Sequence, residues 1–269
     1  PERVATVTVA LCTDSSSLLT VTAAAELGVH VVEVPVTLGG RPFDGASDVF
    51  YERMRTGVVA TTSQPSPGAF LEAFERAAAD GATSVLSLHP DRRISGVALS
   101  AQIAAADAPI PVLVASLPTT SYGVAVCVRA ARAALAAGAT AGEAAAEATR
   151  VAEALGNVFA SRSAPGGHVV SGAPEWAVLR FDSAGAQHVS SHDSAAQASD
   201  AMASIVRFHA PALVAVGHAA REVEPDADRL AHELLRSPGG TVERYRVQPS
   251  VGAHTGPDTF GAFWWPAAR

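Results

Sequence analysis

The stretch SVLSLHPDRRISGVALSAQIAAADAPIPVLVA, residues 84–115, carries the pattern that decides the fold. Its first segment, Ser84–Leu88, is short and apolar and predicts a buried strand. The alanine-rich segment Gly96–Ala106 predicts a helix, and Pro111–Ala115 predicts the next strand. Strands that alternate with helices at this spacing indicate a parallel sheet covered by helices.

The same alternation extends to both sides of this stretch. Val4–Cys12 and Val29–Leu38 each predict one earlier strand. Ser66 suits the N-cap of a helix and Pro67 suits its first position, so we expect a helix to begin there. Two more helices are expected over about residues 121–137 and 141–155.

The pattern changes after about Asn157. Ala177–Phe181 and Ala186–Val189 flank a turn-forming segment and predict a hairpin, and a helix–strand–helix–strand pattern follows. The sequence therefore predicts an α/β protein with an N-terminal lobe over residues 1–156 and a second α+β or α/β lobe over residues 157–269.

The composition excludes several classes of protein. All 19 basic residues are arginine, and the sequence contains no lysine. P-loop NTPases, protein kinases and Schiff-base enzymes each need a lysine, so none of these fits. The formal net charge of −7 and the lack of basic runs argue against binding to nucleic acid.

The sequence also favours a reducing compartment. Cys12 and Cys127 lie in apolar segments, which excludes a disulfide scaffold. The first residues show no signal-peptide pattern, and prolines interrupt the longest uncharged window, Ala108–Val128. We therefore expect a cytoplasmic protein without a membrane span.

Three predicted strand ends are rich in hydroxyl groups: residues 14–17, residues 61–66, and the loop with Ser95. Ligands of parallel sheets bind beyond the carboxyl ends of strands, where hydroxyls and free N–H groups hold anions. The alternative is that each loop only caps a helix. A fourth candidate is His254-Thr255, for which the surrounding glycines and proline predict a rigid turn.

Other chemistry finds no support in the sequence. Neither a dinucleotide-binding G-x-G-x-x-G nor a hydrolase G-x-S-x-G is present. His188 and His192 have the spacing of a metal-binding pair, but they lie in a predicted strand-to-helix turn without a third ligand. We therefore expect no metal site and no catalytic nucleophile of these types.

In several of these segments, the chain resembles the DegV family of fatty-acid-binding proteins, which serve bacterial fatty acid kinase. Thr13-Asp14-Ser15 follows the first strand, and Thr62–Phe70 looks like the family's T-S-Q-P-S-P-G-x-F segment. Ile94-Ser95-Gly96, with Ser100-Ala101, is similar to its S-G-T-x-x-S-A segment. The string H-T-G-P at residues 254–257 matches its C-terminal turn.

The resemblance implies a two-lobed fold with a mixed sheet in the second lobe and a long-chain fatty acid buried between the lobes. It implies a carrier that is not an enzyme, with a fatty acid kinase as partner and no cofactor besides the bound fatty acid. The residues carried over as carboxylate ligands are Thr62, Ser95 and His254, with Ser63, Thr255 and the Gly96 backbone N–H in the same site.

Two departures from the family pattern concern function. Val97 stands where the family has the threonine of S-G-T, which removes one hydroxyl. His168 stands where the family has an arginine that is associated with the kinase step. Two alternatives therefore stay open: an acyl hydrolase that uses Ser95 and His254, and a lipid carrier without a kinase partner.

Overall fold

The computed structural model describes residues 8–162, 176–182, 185–209, 213–236 and 241–266. Within these residues the chain forms thirteen β-strands and nine α-helices. The strands are β1 (Val9–Asp14), β2 (Val29–Val32), β3 (Val36–Leu38), β4 (Arg41–Pro42), β5 (Ala60–Thr62), β6 (Ser84–His89), β7 (Val112–Ser116), β8 (Gly156–Ser161), β9 (Trp176–Asp182), β10 (Gly185–His192), β11 (Leu213–His218), β12 (Thr241–Arg246) and β13 (Phe260–Trp265). The helices are α1 (Val21–Leu27), α2 (Ser47–Arg55), α3 (Pro67–Ala79), α4 (Val97–Ala105), α5 (Tyr122–Ala136), α6 (Ala141–Ala154), α7 (Ala195–Phe208), α8 (Glu224–Leu235) and α9 (Pro249–Thr255).

Contacts divide the chain into two compact units. The first unit comprises Gln64–Glu153 and the described residues before Pro35, and the second comprises Pro35–Ser63 and the described residues from Ala154 onward. Pro35–Ser63 thus groups with C-terminal residues, which differs from the predicted lobe over residues 1–156. The reason is packing, because α2 of this segment shares an apolar cluster with Val247 and Ala253.

The first unit contains the parallel sheet that the sequence predicts. Its strand order is β2-β1-β6-β7, and every pairing in it is parallel. Phe70 and Phe74 of α3 pack with Val85 of β6 in the core on one face. Ser66 caps α3 as predicted, since its hydroxyl accepts a hydrogen bond from the Ala69 N–H.

The prediction of one strand over Val29–Leu38 is wrong. β2 ends at Val32 and belongs to the parallel sheet, whereas β3 begins at Val36 and pairs with β4 and β5 in a three-stranded antiparallel sheet. Pro35 lies between them and has no N–H to donate to a strand partner. The strand predicted over Val4–Cys12 is observed as β1, and residues 1–7 lie outside the described part.

The second unit contains a six-stranded mixed sheet in the order β10-β9-β8-β13-β11-β12. Only β11 and β12 pair in parallel among these strands. Helices α7 and α8 cover one face, where Met202 and Leu230 pack against Trp176, Phe260 and Trp264. The predicted β9–β10 hairpin is confirmed, whereas β13 was not predicted.

Two short elements of the second unit differ from what the sequence predicts. Helix α2 was not predicted, although Phe50, Tyr51 and Met54 have helical spacing and form its buried face. The predicted turn around His254-Thr255 is wrong in extent, since both residues form the last turn of α9. The helix ends at Gly256, whose φ of +83° lies in the region that favours glycine.

Candidate functional site

Thr62 and His254 form a hydrogen-bonded pair in the second unit. Thr62 is the last residue of β5, which pairs with β3 so that Val36 lies opposite Thr62. His254 lies in the last turn of α9. The Thr62 Oγ1 atom lies 2.7 Å from His254 Nε2, although the two residues are 192 positions apart in the sequence. Two of the predicted carboxylate ligands therefore meet in the structure.

The surroundings of His254 favour a neutral imidazole ring. Part of the side chain remains exposed to solvent. Burial of the remainder penalises the charged form and lowers the pKa of His254 below its ordinary value. The lowered pKa favours the neutral ring, which carries a single N–H.

Thr255 offers an unpartnered hydroxyl beside His254. Its backbone carbonyl accepts hydrogen bonds from Ser161 Oγ at 3.1 Å and from Thr259 Oγ1 at 2.6 Å. Its own Oγ1 is buried and has no hydrogen-bond partner among the described residues. Leaving such a group unsatisfied costs about 1–3 kcal/mol, so this hydroxyl is a candidate donor to a ligand.

Helix α2 holds α9 in place. The Tyr51 hydroxyl donates a hydrogen bond of 2.9 Å to the carbonyl of Val247, just before α9. A Cβ at Gly252 would lie 2.1 Å from that hydroxyl oxygen, so only glycine fits there. Arg55 forms an ion pair with Asp258, just after α9. The segment that carries Thr62 thus also fixes both ends of the His254 helix.

Ser95 belongs to the first unit and precedes α4. Its Oγ accepts a hydrogen bond of 3.3 Å from the Val97 N–H, and its own N–H donates to the carbonyl of Asp91. The Asp91 carboxylate accepts hydrogen bonds from the Arg93 side chain and N–H, and these bonds lower the pKa of Asp91. Asp91 thus organises the loop that presents Ser95.

Gly96 lies against the side chain of Gln64 in the same unit. A Cβ at Gly96 would lie 2.5 Å from Gln64 Oε1, closer than real side chains approach. Ser100 Oγ donates a hydrogen bond of 3.2 Å to that same oxygen. Glycine is therefore required at this position unless Gln64 moves.

The predicted site residues divide between the two units. Thr62, Ser63, His254 and Thr255 belong to the second unit, where the N–H of Ser63 donates to the carbonyl of Pro35. Ser95 and Gly96 belong to the first unit. His168, the departure associated with the kinase step, lies outside the described residues.

Comparison with known proteins places the chain in a family. The model of the DegV family of uncharacterised proteins matches residues 8–163. The chain belongs to the DegV family. A DegV domain-containing protein of Streptomyces coelicolor is 32% identical over 140 residues, which are 51% of this chain and 50% of that protein. The chain spans about half or less of the length of the relatives it matches in sequence.

Solved DegV structures share the fold over nearly the whole chain. A DegV family protein of Thermus thermophilus, described as fatty acid binding, superposes with a TM-score of 0.85 at 25% identity and covers 97% of this chain and 100% of its own. DegV of Bacillus subtilis, described as a fatty acid binding protein, has a TM-score of 0.84 at 18% identity with the same coverage. The two-lobed α/β class expected for a DegV protein is thereby confirmed.

Other candidate sites find no support in the described part of this DegV chain. His188 Nε2 and His192 Nε2 each lie within 3.0 Å of a serine hydroxyl, and no cluster of three His, Cys, Asp or Glu residues is placed to hold a metal. Burial raises the pKa of both Cys12 and Cys127 to about 12, so neither thiol is reactive. None of the described helices has the length and apolar character to cross a membrane.

The first unit of this DegV protein contains a buried hydrogen-bonded network that was not predicted from the sequence. Ser87 Oγ lies 2.7 Å from His89 Nε2, and His89 Nδ1 lies 2.8 Å from Asp14 Oδ2. All three side chains are fully buried. Cys12 lies opposite Ser87 in the register, so Asp14 and His89 follow on the same face. The available signal was polar residues at alternate positions in two apolar strands.

This hydrogen-bonded network ends at the hydroxyl-rich turn after β1. The Asp14 carboxylate also accepts hydrogen bonds from the N–H and the hydroxyl of Ser16. The chain passes from β1 to β2 on one side and later to β6 on the other, so the connections diverge at the carboxyl ends of β1 and β6. Ligands of open parallel sheets bind at such a point. His89 and Asp14 therefore support the edge of the sheet at which Ser95 follows β6.

Proposed function

We propose that this protein binds one long-chain fatty acid and presents its carboxylate to a partner fatty acid kinase. The observation that carries the proposal is the Thr62–His254 pair beside the unpartnered, buried hydroxyl of Thr255. Membership of the DegV family and the fatty acid binding of the Thermus thermophilus relative support the same ligand class.

The donors at these positions suit a single carboxylate. A carboxylate accepts hydrogen bonds and donates none, and hydroxyl and imidazole N–H groups are donors. Thr62, His254 and Thr255 supply such groups within one unit. We assign Ser63, Ser95 and the Gly96 N–H to the same ligand on the strength of the family motifs.

The hydrocarbon tail accounts for most of the proposed affinity. Burial of one methylene stabilises a complex by about 0.8 kcal/mol, so a sixteen-carbon tail contributes on the order of 10 kcal/mol. Neutral donors then need only to orient the head group. A lysine is not required for this task, and the chain has none.

The ligand is tested by extraction. The purified protein is denatured and the extract is analysed by mass spectrometry, and a delipidated sample is then incubated with oleate or palmitate. We expect about one fatty acid per chain in one or both samples. A sample that carries no fatty acid and takes up neither added one would overturn the proposal.

Presentation to a kinase is tested separately, because His168 replaces the family arginine. The loaded protein is incubated with a cognate fatty acid kinase and ATP, and acyl phosphate is measured. Formation of acyl phosphate supports the full proposal. Its absence with a loaded protein indicates a lipid carrier without a kinase partner. Turnover of nitrophenyl acyl esters that is lost in Ser95→Ala would indicate an acyl hydrolase instead.

A further inference from the structure

Strand β7 is an open edge of the parallel sheet in the first unit. It pairs with β6 on one side, and no described strand pairs with its other side. The carbonyl of Pro111 and the N–H of Leu117 both bond to β6. Because backbone groups alternate in direction along a strand, the alternate residues between them direct their N–H and C=O groups away from β6: Val112, Val114 and Ser116. Such a row of free backbone groups can pair with a strand of another chain.

Large apolar side chains are exposed beside this edge. On α4, which packs over β6 and β7, Leu99 is 57% exposed and Ile103 is 52% exposed. The two residues are four positions apart, so they share one face of the helix. On β7 itself, Leu113 is 41% exposed. The opposite edge strand, β2, differs in that Val29 and Val32 are buried.

Two exposed charges of opposite sign lie at the two ends of β7. Arg92 lies at the carboxyl end, because its N–H donates a hydrogen bond of 2.8 Å to Ser116 Oγ. Asp107 lies between α4 and β7, at the amino end of the strand. Neither side chain forms an ion pair with any residue that the structure describes, and the neighbouring Asp91 pairs with Arg93. Opposite charges at the two ends of an edge strand match those of a second copy that runs antiparallel to it.

We propose that a second copy of this chain covers the β7 edge, by antiparallel pairing of the two β7 strands about a two-fold axis at Val114. In this register Val114 lies opposite the partner's Val114, and Val112 lies opposite the partner's Ser116. The outward N–H and C=O groups of these residues then bond to one another. Arg92 of each copy comes to the end of the strand that carries the partner's Asp107. The proposal concerns assembly and does not depend on the ligand.

The same axis brings the two α4 helices together. The axis is perpendicular to the sheet, so both helices lie on the same face of the joined sheets. Neighbouring strands are about 4.8 Å apart, and α4 lies over β6 and β7, so the two helix axes would be about 10 Å apart. Packed helices are separated by about 8–10 Å. Leu99 and Ile103 would therefore be covered by the same residues of the second copy.

The assembly is measured by sedimentation equilibrium of the full chain, as purified and after delipidation. We expect a mass of twice 27.3 kDa in both samples. A wild-type chain that stays monomeric even at about 100 μM, which populates any dimer with a micromolar Kd, would overturn the proposal.

Substitutions on two exposed helix faces locate the contact. Ile103→Asp places like charges near the axis and should weaken dimerisation at least about tenfold. The matched control is Val21→Asp, because Val21 is 89% exposed on α1, which packs against β2 at the opposite edge of the sheet. This control should dimerise like the wild type. A dimer that Ile103→Asp does not weaken would overturn the proposal, since the contact would then lie elsewhere.

Charge reversal tests the antiparallel direction. Arg92→Asp alone and Asp107→Arg alone each place like charges at both ends of the paired strands. Each should weaken dimerisation by about threefold to tenfold at low salt. The double variant restores opposite charges and should recover the wild-type affinity. Losses that multiply in the double variant would overturn the proposal.

Cross-linking tests the register. With the axis at Val114, residue 113 of one copy and residue 115 of the other form a non-hydrogen-bonded pair with Cα atoms about 4.5 Å apart, within the range that a disulfide needs. An equal mixture of Leu113→Cys and Ala115→Cys chains should therefore form linked dimers faster than either variant alone. Both native cysteines are buried and serve as an internal background. A mixture that links no faster than the single variants would overturn the register and the proposal.

Discussion

The substitution His89→Leu removes one hydrogen-bond donor from the fully buried carboxylate of Asp14. Loss of one hydrogen bond to a buried charged group typically costs about 1.5–3 kcal/mol. The substitution also leaves the buried Ser87 hydroxyl without its partner, which places the expected loss near the upper end, at about 3 kcal/mol. At roughly 2–4 °C per kcal/mol for a domain of this size, the Tm should fall by about 6–12 °C.

The loss is measured by denaturant unfolding of the full chain, followed by far-ultraviolet circular dichroism. Tryptophan fluorescence is a second probe, since all three tryptophans lie in the second unit and His89 lies in the first. The matched control is His232→Leu, which replaces an exposed histidine and should change stability by less than about 0.5 kcal/mol. A loss below about 1 kcal/mol in His89→Leu would refute the reasoning, because the carboxylate would then not depend on the histidine.

Three further predictions concern the site. Gly252→Ala places a Cβ 2.1 Å from the Tyr51 hydroxyl and should destabilise the fold by about 1–3 kcal/mol in denaturant unfolding. The double variant with Tyr51→Phe should recover part of this stability. An unchanged unfolding midpoint in Gly252→Ala would contradict the packing of α2 against α9. Gly96→Ala places a Cβ 2.5 Å from Gln64 Oε1 and should weaken oleate binding. The affinity should recover when Gln64→Ala is added. Wild-type affinity in Gly96→Ala would argue against a role for the Ser95–Gly96 loop in binding. Because the pKa of His254 is lowered on folding, the unfolded chain binds the proton first, so stability should decrease as pH falls below about 6.5 until the lowered pKa is passed. His254→Gln should lose that part of the pH dependence in thermal unfolding, and an unchanged profile would contradict the assignment.

Local signals in the sequence were sufficient to predict most helices and strands of the first unit. Ser66 and Pro67 mark the start of α3 because the cap and the fixed φ of proline act within a few residues. Pro35 was also present in the sequence, yet the β-branched residues on both sides of it favoured a single strand over Val29–Leu38 and concealed the change of sheet. That change depends on pairing partners distant in the sequence, which composition does not encode.

The candidate site was also predicted only in part. Family motifs predicted Thr62 and His254, and the structure brings them together through β5 and α9. The helical state of His254 was missed, because Gly252 reads as a turn former but instead makes room for Tyr51 of α2. His89 was missed because its partner Asp14 is 75 positions away and only strand register brings them together.

The central claim is that the hydrogen-bonded Thr62–His254 pair and the hydroxyl of Thr255 supply the neutral donors that hold the carboxylate of one fatty acid. The most direct measurement is a calorimetric titration of delipidated protein with oleate and, in parallel, with oleyl alcohol, which has the same tail without the carboxylate. The account predicts saturable binding of one oleate per chain and at least about tenfold weaker binding of the alcohol, as expected for lost hydrogen bonds to a charged group. No binding of oleate, or equal affinity for the two ligands, would contradict it.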